Sequence, residues 1–272
     1  MTAVGLSLSG GASSLWALAM IAAGELDRPT HFAVFFADTG DEHEWTYETI
    51  DRAAAICVDL GVPFFRGSHR TMLWDDVEAA TRGERKRIDT PPLWTENQGG
   101  GRGQLTQQCS QIYKSRVVRR MQSMWLESAG LPKRITTWIG FGADEQHRAT
   151  KAIAKQEVQW ATLDFPAIHV GAGRAQQRAD LMRVLGWMPR FSMCRRCPYK
   201  SVDRWQQTTV ADLSCALDTD ERIRHGLEAI GVDNPCYLTD RLIPLRQLIE
   251  RGDPQPDLPG FESHCDGGMC FV

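Results

Sequence analysis

Short apolar segments alternate with longer helix-forming segments along the first 190 residues. The segment His31–Ala37 is almost continuously apolar, which is typical of a strand buried on both faces of a parallel sheet. The predicted strands are Val4–Leu8, His31–Ala37, Val62–Phe65, Arg134–Gly140 and, as the last of them, Pro166–Val170. Predicted helices separate these strands, for example over His43–Leu60. The alternation predicts an α/β fold built on a Rossmann-like parallel sheet.

Two regions depart from this alternation. Between Arg82 and Gln108 the periodicity disappears, and the segment contains a proline pair and a run of glycines. A loop of this length inside a compact domain is usually functional or mobile, although an insertion without a role is the alternative. Beyond about residue 190 the chain is mostly helix-forming as far as Arg251, and an irregular tail follows. We therefore predict a sheet domain over residues 1–190 and a helical, cysteine-bearing region over residues 191–272.

Charge and hydropathy narrow the function classes. The net charge of −3 excludes a global positive field that would recruit nucleic acid, but it leaves a local basic face open. No apolar run approaches the ~20 residues that a membrane-spanning helix needs. The first residues lack the basic segment and apolar stretch of a secretory signal. We therefore expect a cytoplasmic protein that does not bind a membrane.

The first strand leads directly into a loop of small residues ahead of a predicted helix. This loop consists of Ser9, Gly10, Gly11, Ala12, Ser13 and Ser14. A glycine pair lets the backbone approach a ligand closely. The N-terminus of the helix then stabilises an anion through unpaired N–H groups and the helix dipole. The loop predicts a phosphate site, although many strand-to-helix turns carry two glycines.

Polar residues follow two further strands, at the edge of the sheet where ligands bind in open α/β folds. The residues after the second strand are Asp38, Thr39 and Gly40, and the fourth strand leads through Gly140 to Asp144 and Arg148. Lys114 precedes a helix that carries three arginines. These cations suit a polyanionic ligand, and a solvated helix face is the alternative.

The eight cysteines fall into two groups. Three of them are interpreted as buried apolar residues, namely Cys57, Cys215 and Cys236. The other five are Cys109, Cys194, Cys197, Cys265 and Cys270. In a reducing compartment such thiols indicate metal ligands or redox groups rather than disulfides. Cys194 and Cys197 have the two-residue spacing with which two thiolates reach one metal.

Together, three motifs resemble the PP-loop ATP pyrophosphatase superfamily, in its phosphoadenosine-phosphosulfate reductase-like branch. They are the Ser9–Ser14 loop, the Asp38–Gly40 turn and the segment Gly140–Arg148. The segment Gln108–Lys114 and the segment Cys194–Lys200 are similar to further elements of that branch. The resemblance extends over most of the chain and implies the adenine nucleotide α-hydrolase type of Rossmann-like sheet.

The resemblance also implies roles for individual residues. Phosphate would be bound by Ser9, Gly10, Gly11, Ser13 and Ser14, with Thr39, Gly40 and Gly140 beside the nucleotide. Asp38 and Asp144 would lie around the nucleotide or its Mg²⁺, while Lys114 and Arg148 would neutralise phosphate charge. The family motif usually has Asp where this chain has Ser13. This departure puts ATP cleavage in question and leaves nucleotide binding intact.

By the same resemblance, Cys109, Cys194 and Cys197 would hold a [4Fe–4S] cluster. Zinc and the absence of any metal are the alternatives, because thiolates select both iron–sulfur clusters and zinc. The fourth ligand would be Cys270 or Cys265, or the fourth iron would stay open and carry sulfur. Cys265 is also a candidate nucleophile, since a histidine precedes it.

The leading hypothesis is an ATP-dependent enzyme that adenylates an acceptor, releases pyrophosphate and takes part in sulfur transfer. The acceptor would be a nucleic acid or a small metabolite, and the sulfur or electron donor a cysteine desulfurase or a thioredoxin-type protein. The first alternative is a reductase of adenosine phosphosulfate (APS) or its 3′-phosphorylated form (PAPS). The second is a non-catalytic nucleotide-binding partner in a modification or defence complex.

Overall fold

A computed structural model describes residues 2–97, 99–156 and 158–251. In chain order its strands are β1 Ala3–Leu8, β2 Phe32–Asp38, β3 Phe64–Ser68, β4 Trp94–Glu96, β5 Arg102–Gln104, β6 Ile135–Trp138, β7 Ala161–Asp164 and β8 Cys236–Tyr237. The α-helices are α1 Ala12–Ala22, α2 Glu44–Asp59, α3 Leu73–Thr81, α4 Arg116–Ser128, α5 Gln146–Ala154, α6 Pro166–His169, α7 Arg174–Leu185, α8 Val202–Gln206, α9 Val210–Gly226 and α10 Leu245–Arg251. A π-helix covers Ser110–Ser115, and 3₁₀ turns cover Ala143–Glu145 and Glu228–Ile230.

Five parallel strands form the main sheet, in the order β3-β2-β1-β6-β7. The central strand β1 pairs with β2 on one side and β6 on the other, so that Leu6 lies beside Val34 and Trp138. Every residue of β1 is buried, as expected of a strand covered on both faces. The predicted α/β class with a Rossmann-like parallel sheet is confirmed.

Helices cover both faces of this sheet. Helices α1 and α7 pack on one face, where Leu15, Leu18 and Leu181 are completely buried. Helix α4 packs on the other face through residues such as Leu126, against Phe35. Helix α1 is buried from Ser14 to Ile21, as expected of a helix that is apolar on most sides. Because α1 begins directly after the loop that follows β1, its N-terminus lies at the carboxyl edge of the sheet.

The prediction that Pro166–Val170 forms the last strand is wrong. Residues Pro166–His169 form helix α6, and the last strand of the sheet is β7, just before it. Proline fits the first turn of a helix, because its fixed φ suits that turn and its missing N–H would be unpaired there in any case. The apolar residues after Pro166 belong to this turn, which has no strand partner.

The segment 82–108, which lacks any periodicity in sequence, contributes two short strands. Strands β4 and β5 pair in antiparallel fashion, and β8 from the C-terminal part of the chain adds to β4 as a third strand. Trp94 connects these strands to the cysteine-bearing region, because its indole N–H donates to the carbonyl oxygen of Pro198 at 2.9 Å.

Residues 202–249 contribute to a second apolar core together with α3 and the π-helix. This core includes Trp74, Tyr113, Trp205, Ile223 and Leu248, all buried. The predicted helical character of the region holds for α8, α9 and α10, with β8 as a short exception. The predicted domain boundary near residue 190 stays a prediction. No helix in the described part of the chain combines the length and apolarity needed to cross a bilayer.

Replacement of Phe35 by alanine should destabilise the fold strongly. The Phe35 ring is completely buried and stacks on Phe65 at a centroid distance of 5.2 Å. Loss of such a ring from a core typically costs about 3–5 kcal/mol. Urea unfolding followed by tryptophan fluorescence would measure this loss. The control is Val58→Ala at a side chain that is 78% exposed, where a change within about 0.5 kcal/mol is expected; equal effects of the two substitutions would contradict the assigned core.

Candidate functional site

Hydroxyl groups close the loop between β1 and α1 into a fixed shape. The Ser14 hydroxyl lies 2.9 Å from the Ser9 hydroxyl, accepts from the Ser9 backbone N–H at 3.0 Å, and donates to the Gly11 carbonyl oxygen at 3.0 Å. Gly11 stands at the N-cap of α1, and no side chain caps the helix there. The amide groups at the start of α1 are thus left for an anion.

At two positions of the predicted site, the backbone conformation or a close backbone contact requires glycine. Gly10 has a φ of +82°, a conformation that glycine adopts without strain. Gly140, at the end of β6, lies directly against the loop: a Cβ atom on Gly140 would stand 2.2 Å from the Ser13 carbonyl oxygen and 2.6 Å from the Ser14 Cα. The turn after β6 therefore forms one side of the phosphate loop.

A cavity of about 340 Å³, which we name the phosphate cavity, opens beside this loop. Its walls include Ser9, Gly11, Ser13, Ser14 and Gly140 from the predicted site. Among the described residues, five arginines and one carboxylate also line it, namely Arg148, Arg174, Arg178, Arg190, Arg204 and Glu145. Since this lining carries more positive than negative charge, the site is suited to an anion with several charges.

Glu145 organises two of these arginines. Its carboxylate is buried and accepts hydrogen bonds from Arg148, from Arg174 at 2.7 Å, and from the backbone N–H of Gly142 at 3.1 Å. Burial raises the pKa of Glu145, but the Arg174 hydrogen bond and the Arg148 charge outweigh it and hold the pKa below the usual value. The Arg148 guanidinium also stacks on the Phe141 ring at 4.0 Å. Both arginines are thus positioned before any ligand binds.

A second cavity, of about 370 Å³, lies at the carboxyl edge of the sheet on the face covered by α4; we name it the sheet cavity. Ser7, Ala37 and Thr137 leave room there, one layer above the bulky Phe35 and Ile135 that fill the core. Ser9 lines both the sheet cavity and the phosphate cavity. The two cavities therefore meet at the start of the phosphate loop.

The three cysteines predicted to bind a metal line one small cavity, which we name the cysteine cavity. Cys109 precedes the π-helix, whereas Cys194 and Cys197 lie on residues 189–204, which we name the cysteine segment. Lys114 and Thr39 also line this cavity, and apolar walls such as Trp74 complete it. The fold thus brings together residues from three distant parts of the chain.

The cysteine cavity is narrow, at about 40 Å³, which is room for only a few water molecules. Among the described residues, no three His, Cys, Asp or Glu side chains converge closely enough to hold a single metal ion. The donor chemistry of three thiols with apolar walls fits a soft, thiolate-bound centre. A group as large as an iron–sulfur cluster requires the walls to move apart.

Cys194 faces a buried carboxylate that the sequence analysis left without a role. Its thiol lies 3.7 Å from Glu42 Oε1 and 3.7 Å from the Thr39 hydroxyl. Burial raises the pKa of Cys194, and the Glu42 charge adds to this effect. The Lys114 ammonium lies 3.5 Å from the same Glu42 oxygen. Glu42 and Lys114 both also line the sheet cavity, so this pair forms the partition between that cavity and the thiols.

The buried ion pair Asp41–Arg196 fixes the cysteine segment to the loop after β2. The Arg196 backbone N–H and Nε donate to the two Asp41 carboxylate oxygens at 3.1 and 2.9 Å, and Nη1 donates to Glu78 at 2.7 Å. The Arg195 backbone N–H donates to the Asp41 carbonyl oxygen at 2.6 Å. Burial raises the pKa of Asp41, and the Arg196 guanidinium opposes this rise. The clamp places Cys194 beside Glu42.

A second buried chain of polar groups supports the same junction. His43 Nδ1 lies 2.6 Å from the Asp212 carboxylate, and the Lys200 ammonium lies 2.8 Å from His43 Nε2 and donates to the Arg195 carbonyl oxygen at 2.7 Å. Burial and the Lys200 charge lower the pKa of His43 to about 4. Burial also lowers the pKa of Lys200 to about 8. A neutral His43 with its proton on Nδ1 satisfies both neighbours.

Two predicted carboxylates lie outside the walls of the phosphate cavity and the sheet cavity. Asp38 accepts hydrogen bonds from the Arg66 guanidinium at 2.7 Å, the Tyr47 hydroxyl at 2.9 Å and the Gly40 backbone N–H at 2.8 Å. Asp144 accepts from the Arg174 backbone N–H at 3.2 Å. Asp38 thus shapes the turn that contains Gly40, whose φ is +74°. The role of both carboxylates at Mg²⁺ stays a prediction.

Two cysteines predicted as site residues, Cys265 and Cys270, lie outside the described residues. Other residues at the site were not predicted from the sequence. Glu42 and Glu145 belong to this group, although both stand in polar turns at strand ends. The missed cavity arginines are Arg174, Arg178, Arg190 and Arg204. They come from α7 and the cysteine segment, and no local motif marks them.

Comparison with known proteins gives structural likeness at low sequence identity. No protein-family model matches the chain, and no curated protein matches it. A solved structure with a similar fold is the U34-tRNA thiolase NcsA from Methanococcus maripaludis with its [4Fe-4S] cluster. The two chains share 12% identity at a TM-score of 0.44, over 96% of this chain and 77% of that chain. At these values the likeness decides nothing about the activity of this chain.

Substitution of Gly140 by alanine should displace the phosphate loop. The added methyl group would meet backbone atoms of Ser13 and Ser14, which no side-chain rotation can move away. We expect the affinity for inorganic pyrophosphate, measured by calorimetry, to fall about ten-fold or more, since misplaced binding groups commonly cost that much. The control is Gly99→Ala, where the nearest atom is 3.4 Å from the added carbon. An unchanged affinity in Gly140→Ala would contradict the assignment of the loop.

Proposed function

We propose that this protein is an ATP-dependent PP-loop enzyme that adenylates an acceptor, releases pyrophosphate and takes part in sulfur transfer. One observation carries the proposal: the phosphate cavity and the cysteine cavity adjoin. Ser192 and Met193 line both of them, and the sheet cavity meets the cysteine cavity at Lys114 and Gln107. A nucleotide and a thiol-bound group would therefore face a common junction.

The β- and γ-phosphates of ATP suit the phosphate cavity. The start of α1 offers amide groups, and the Ser9–Ser14 loop offers hydroxyl groups. Arg174 and Arg178 approach from the N-terminal half of α7, on the opposite wall. Charge-assisted hydrogen bonds from guanidinium groups are strong and match phosphate geometry. The arginines supply the positive charge that developing pyrophosphate needs.

Adenosine suits the sheet cavity. Its floor of small side chains, Ser7, Ala37 and Thr137, leaves space for a flat ring, and Ile139 and Leu163 add apolar walls. Pockets for small ligands are typically apolar, with a few polar groups that fix orientation. With the base in this cavity and the terminal phosphates beside α1, the α-phosphate would lie near Ser9, which lines both cavities.

The proposed reaction then begins with an in-line displacement at the α-phosphorus of ATP. An acceptor oxygen attacks the α-phosphorus, the bond from that phosphorus to the bridging oxygen breaks, and pyrophosphate leaves with the electron pair. A sulfur nucleophile next displaces AMP from the activated acceptor. The chain's own residues position the phosphates and neutralise charge, since such transfers need little other protein chemistry. A protein of the cysteine desulfurase class would supply the sulfur, and a nucleic acid or a metabolite would accept it.

Cys109, Cys194 and Cys197 would hold the metal centre, with Cys270 as the proposed fourth ligand. A [4Fe–4S] cluster held by all four cysteines would be fully ligated; if the fourth position stayed open instead, its iron would be able to carry sulfur. Zinc would be structural. Glu42 and Lys114 would separate this centre from the nucleotide. Lys114 would also offer its charge to an activated acceptor at the junction, because it lines both cavities there.

A second candidate function is the reduction of APS or PAPS. Ser13 stands where the family has an aspartate, and the only carboxylate among the described residues of the phosphate cavity is Glu145. Glu145 is engaged by two arginines, which leaves it poorly placed to bind Mg²⁺. A sulfonucleotide would bind at the anion site. Its reduction would not require a metal-assisted cleavage of ATP. Sulfite release with a thiol donor would favour this candidate.

Anaerobically prepared protein should release pyrophosphate from ATP, with a rate that rises when the correct acceptor is present. Arg174→Gln should lower kcat/KM for ATP about ten-fold or more, because one charged hydrogen-bond donor to developing charge is removed. The control is Arg183→Gln on the same helix, whose side chain pairs with Glu25. Pyrophosphate release would be followed by a coupled phosphate assay. Sulfite release from a sulfonucleotide without pyrophosphate release from ATP would replace the leading proposal by the second candidate.

Protein purified without oxygen should contain iron and acid-labile sulfide, and it should absorb visible light as iron–sulfur proteins do. Cys109→Ala and Cys194→Ala should each lower the iron content strongly, since each removes a thiolate ligand. Cys57→Ala is the matched control, because Cys57 is completely buried in the sheet core. Iron-free protein with stoichiometric zinc would contradict the cluster and support the zinc alternative.

A further inference from the structure

We propose that a polyphosphate anion in the phosphate cavity closes the cysteine segment over the cysteine cavity, so that nucleotide occupancy controls access to Cys194 and Cys197. This inference rests on the proposed function and adds a regulatory link within the same site. The starting observation is that one stretch of chain forms walls of both cavities. Residues 189–193 and Arg204 line the phosphate cavity, and residues 192–194 and 197–199 line the cysteine cavity.

The segment touches the phosphate loop and α2 directly. The Ser192 hydroxyl donates to the Ser9 carbonyl oxygen. The Trp45 indole N–H donates to the Phe191 carbonyl oxygen at 2.8 Å, and the Arg190 guanidinium stacks on the Trp45 ring at 3.8 Å. These contacts hold the first half of the segment close to the loop that binds phosphate, and the Asp41–Arg196 clamp holds its middle.

An anion in the phosphate cavity would join two separate walls. Arg190 and Arg204 stand on the cysteine segment, whereas Arg174 and Arg178 stand on α7. An anion with several charges would accept hydrogen bonds from both walls and from the start of α1, and would thereby hold the cysteine segment against its neighbours.

Access to the thiols requires the walls to separate. Cys194 and Cys197 are half-buried, and the cavity they line is narrow, at about 40 Å³. A reagent, a sulfur donor or a metal centre can enter only when the cysteine segment moves away from its neighbours. The anion therefore favours the closed state, and its absence favours the open state. The enzyme would load its thiols first and bind ATP second.

Alkylation of the apo protein by iodoacetamide tests this link, with inorganic pyrophosphate as the probe and mass spectrometry as the readout. Saturating pyrophosphate should slow alkylation of Cys194 and Cys197 about five-fold or more. Cys215 on α9 is partly exposed and does not line the cysteine cavity, and its rate should change much less. The double variant Arg190→Gln/Arg204→Gln should lose this protection at pyrophosphate concentrations that calorimetry shows to be saturating.

The outcomes separate this inference from the proposed function. Protection of the two segment cysteines in the wild type and in the control variant Arg183→Gln, but not in the double variant, would support the link. Pyrophosphate binding without a change in rate would overturn the link and leave ATP binding intact. Equal protection of Cys215 would also overturn it, because a general stabilisation would then explain the effect. A failure of pyrophosphate to bind would overturn both proposals.

Discussion

The buried Asp41–Arg196 ion pair is the interaction on which the composite site depends. Asp41 belongs to the turn after β2, and Arg196 belongs to the segment that carries Cys194 and Cys197. A buried pair of this kind gains little net stability over apolar packing, but the loss of one partner leaves an uncompensated charge. Its contribution here is geometric. It places the Cys194 thiol beside Glu42, at the carboxyl edge of the sheet.

The parts of the site that follow from local sequence could be predicted. The Ser9–Ser14 loop could be recognised as a candidate phosphate site from the sequence, because two glycines stand between an apolar strand and a helix. The spacing of Cys109, Cys194 and Cys197 predicted a shared metal site; the three thiols line one cavity, and metal binding stays a prediction. The place of Gly140 beside a nucleotide also stays a prediction. The structure shows that Gly140 lies against the Ser13 backbone, at a distance that excludes any side chain.

The rest depends on packing between distant segments, which leaves no local pattern. Arg174 and Arg190 reach the phosphate cavity because α7 and the cysteine segment cross it, and nothing in their own surroundings in the sequence marks them. Strands β4 and β5 span three residues each, too short for a period-two signal. Residues Pro166–His169 had the apolar content of a strand, and the position of Pro166 decided in favour of a helix.

The pairing of β8 with β4 has a consequence for how the chain could vary or be shortened. The hairpin of β4 and β5 is an insertion between elements of the main sheet, and β8 supplies its third strand from near residue 236. If the C-terminal part were removed, β4 would keep an unpaired edge of backbone N–H and C=O groups. Such edges recruit strands from other molecules. The hairpin and β8 are thus one structural unit, and loss of β8 would leave an edge that promotes aggregation.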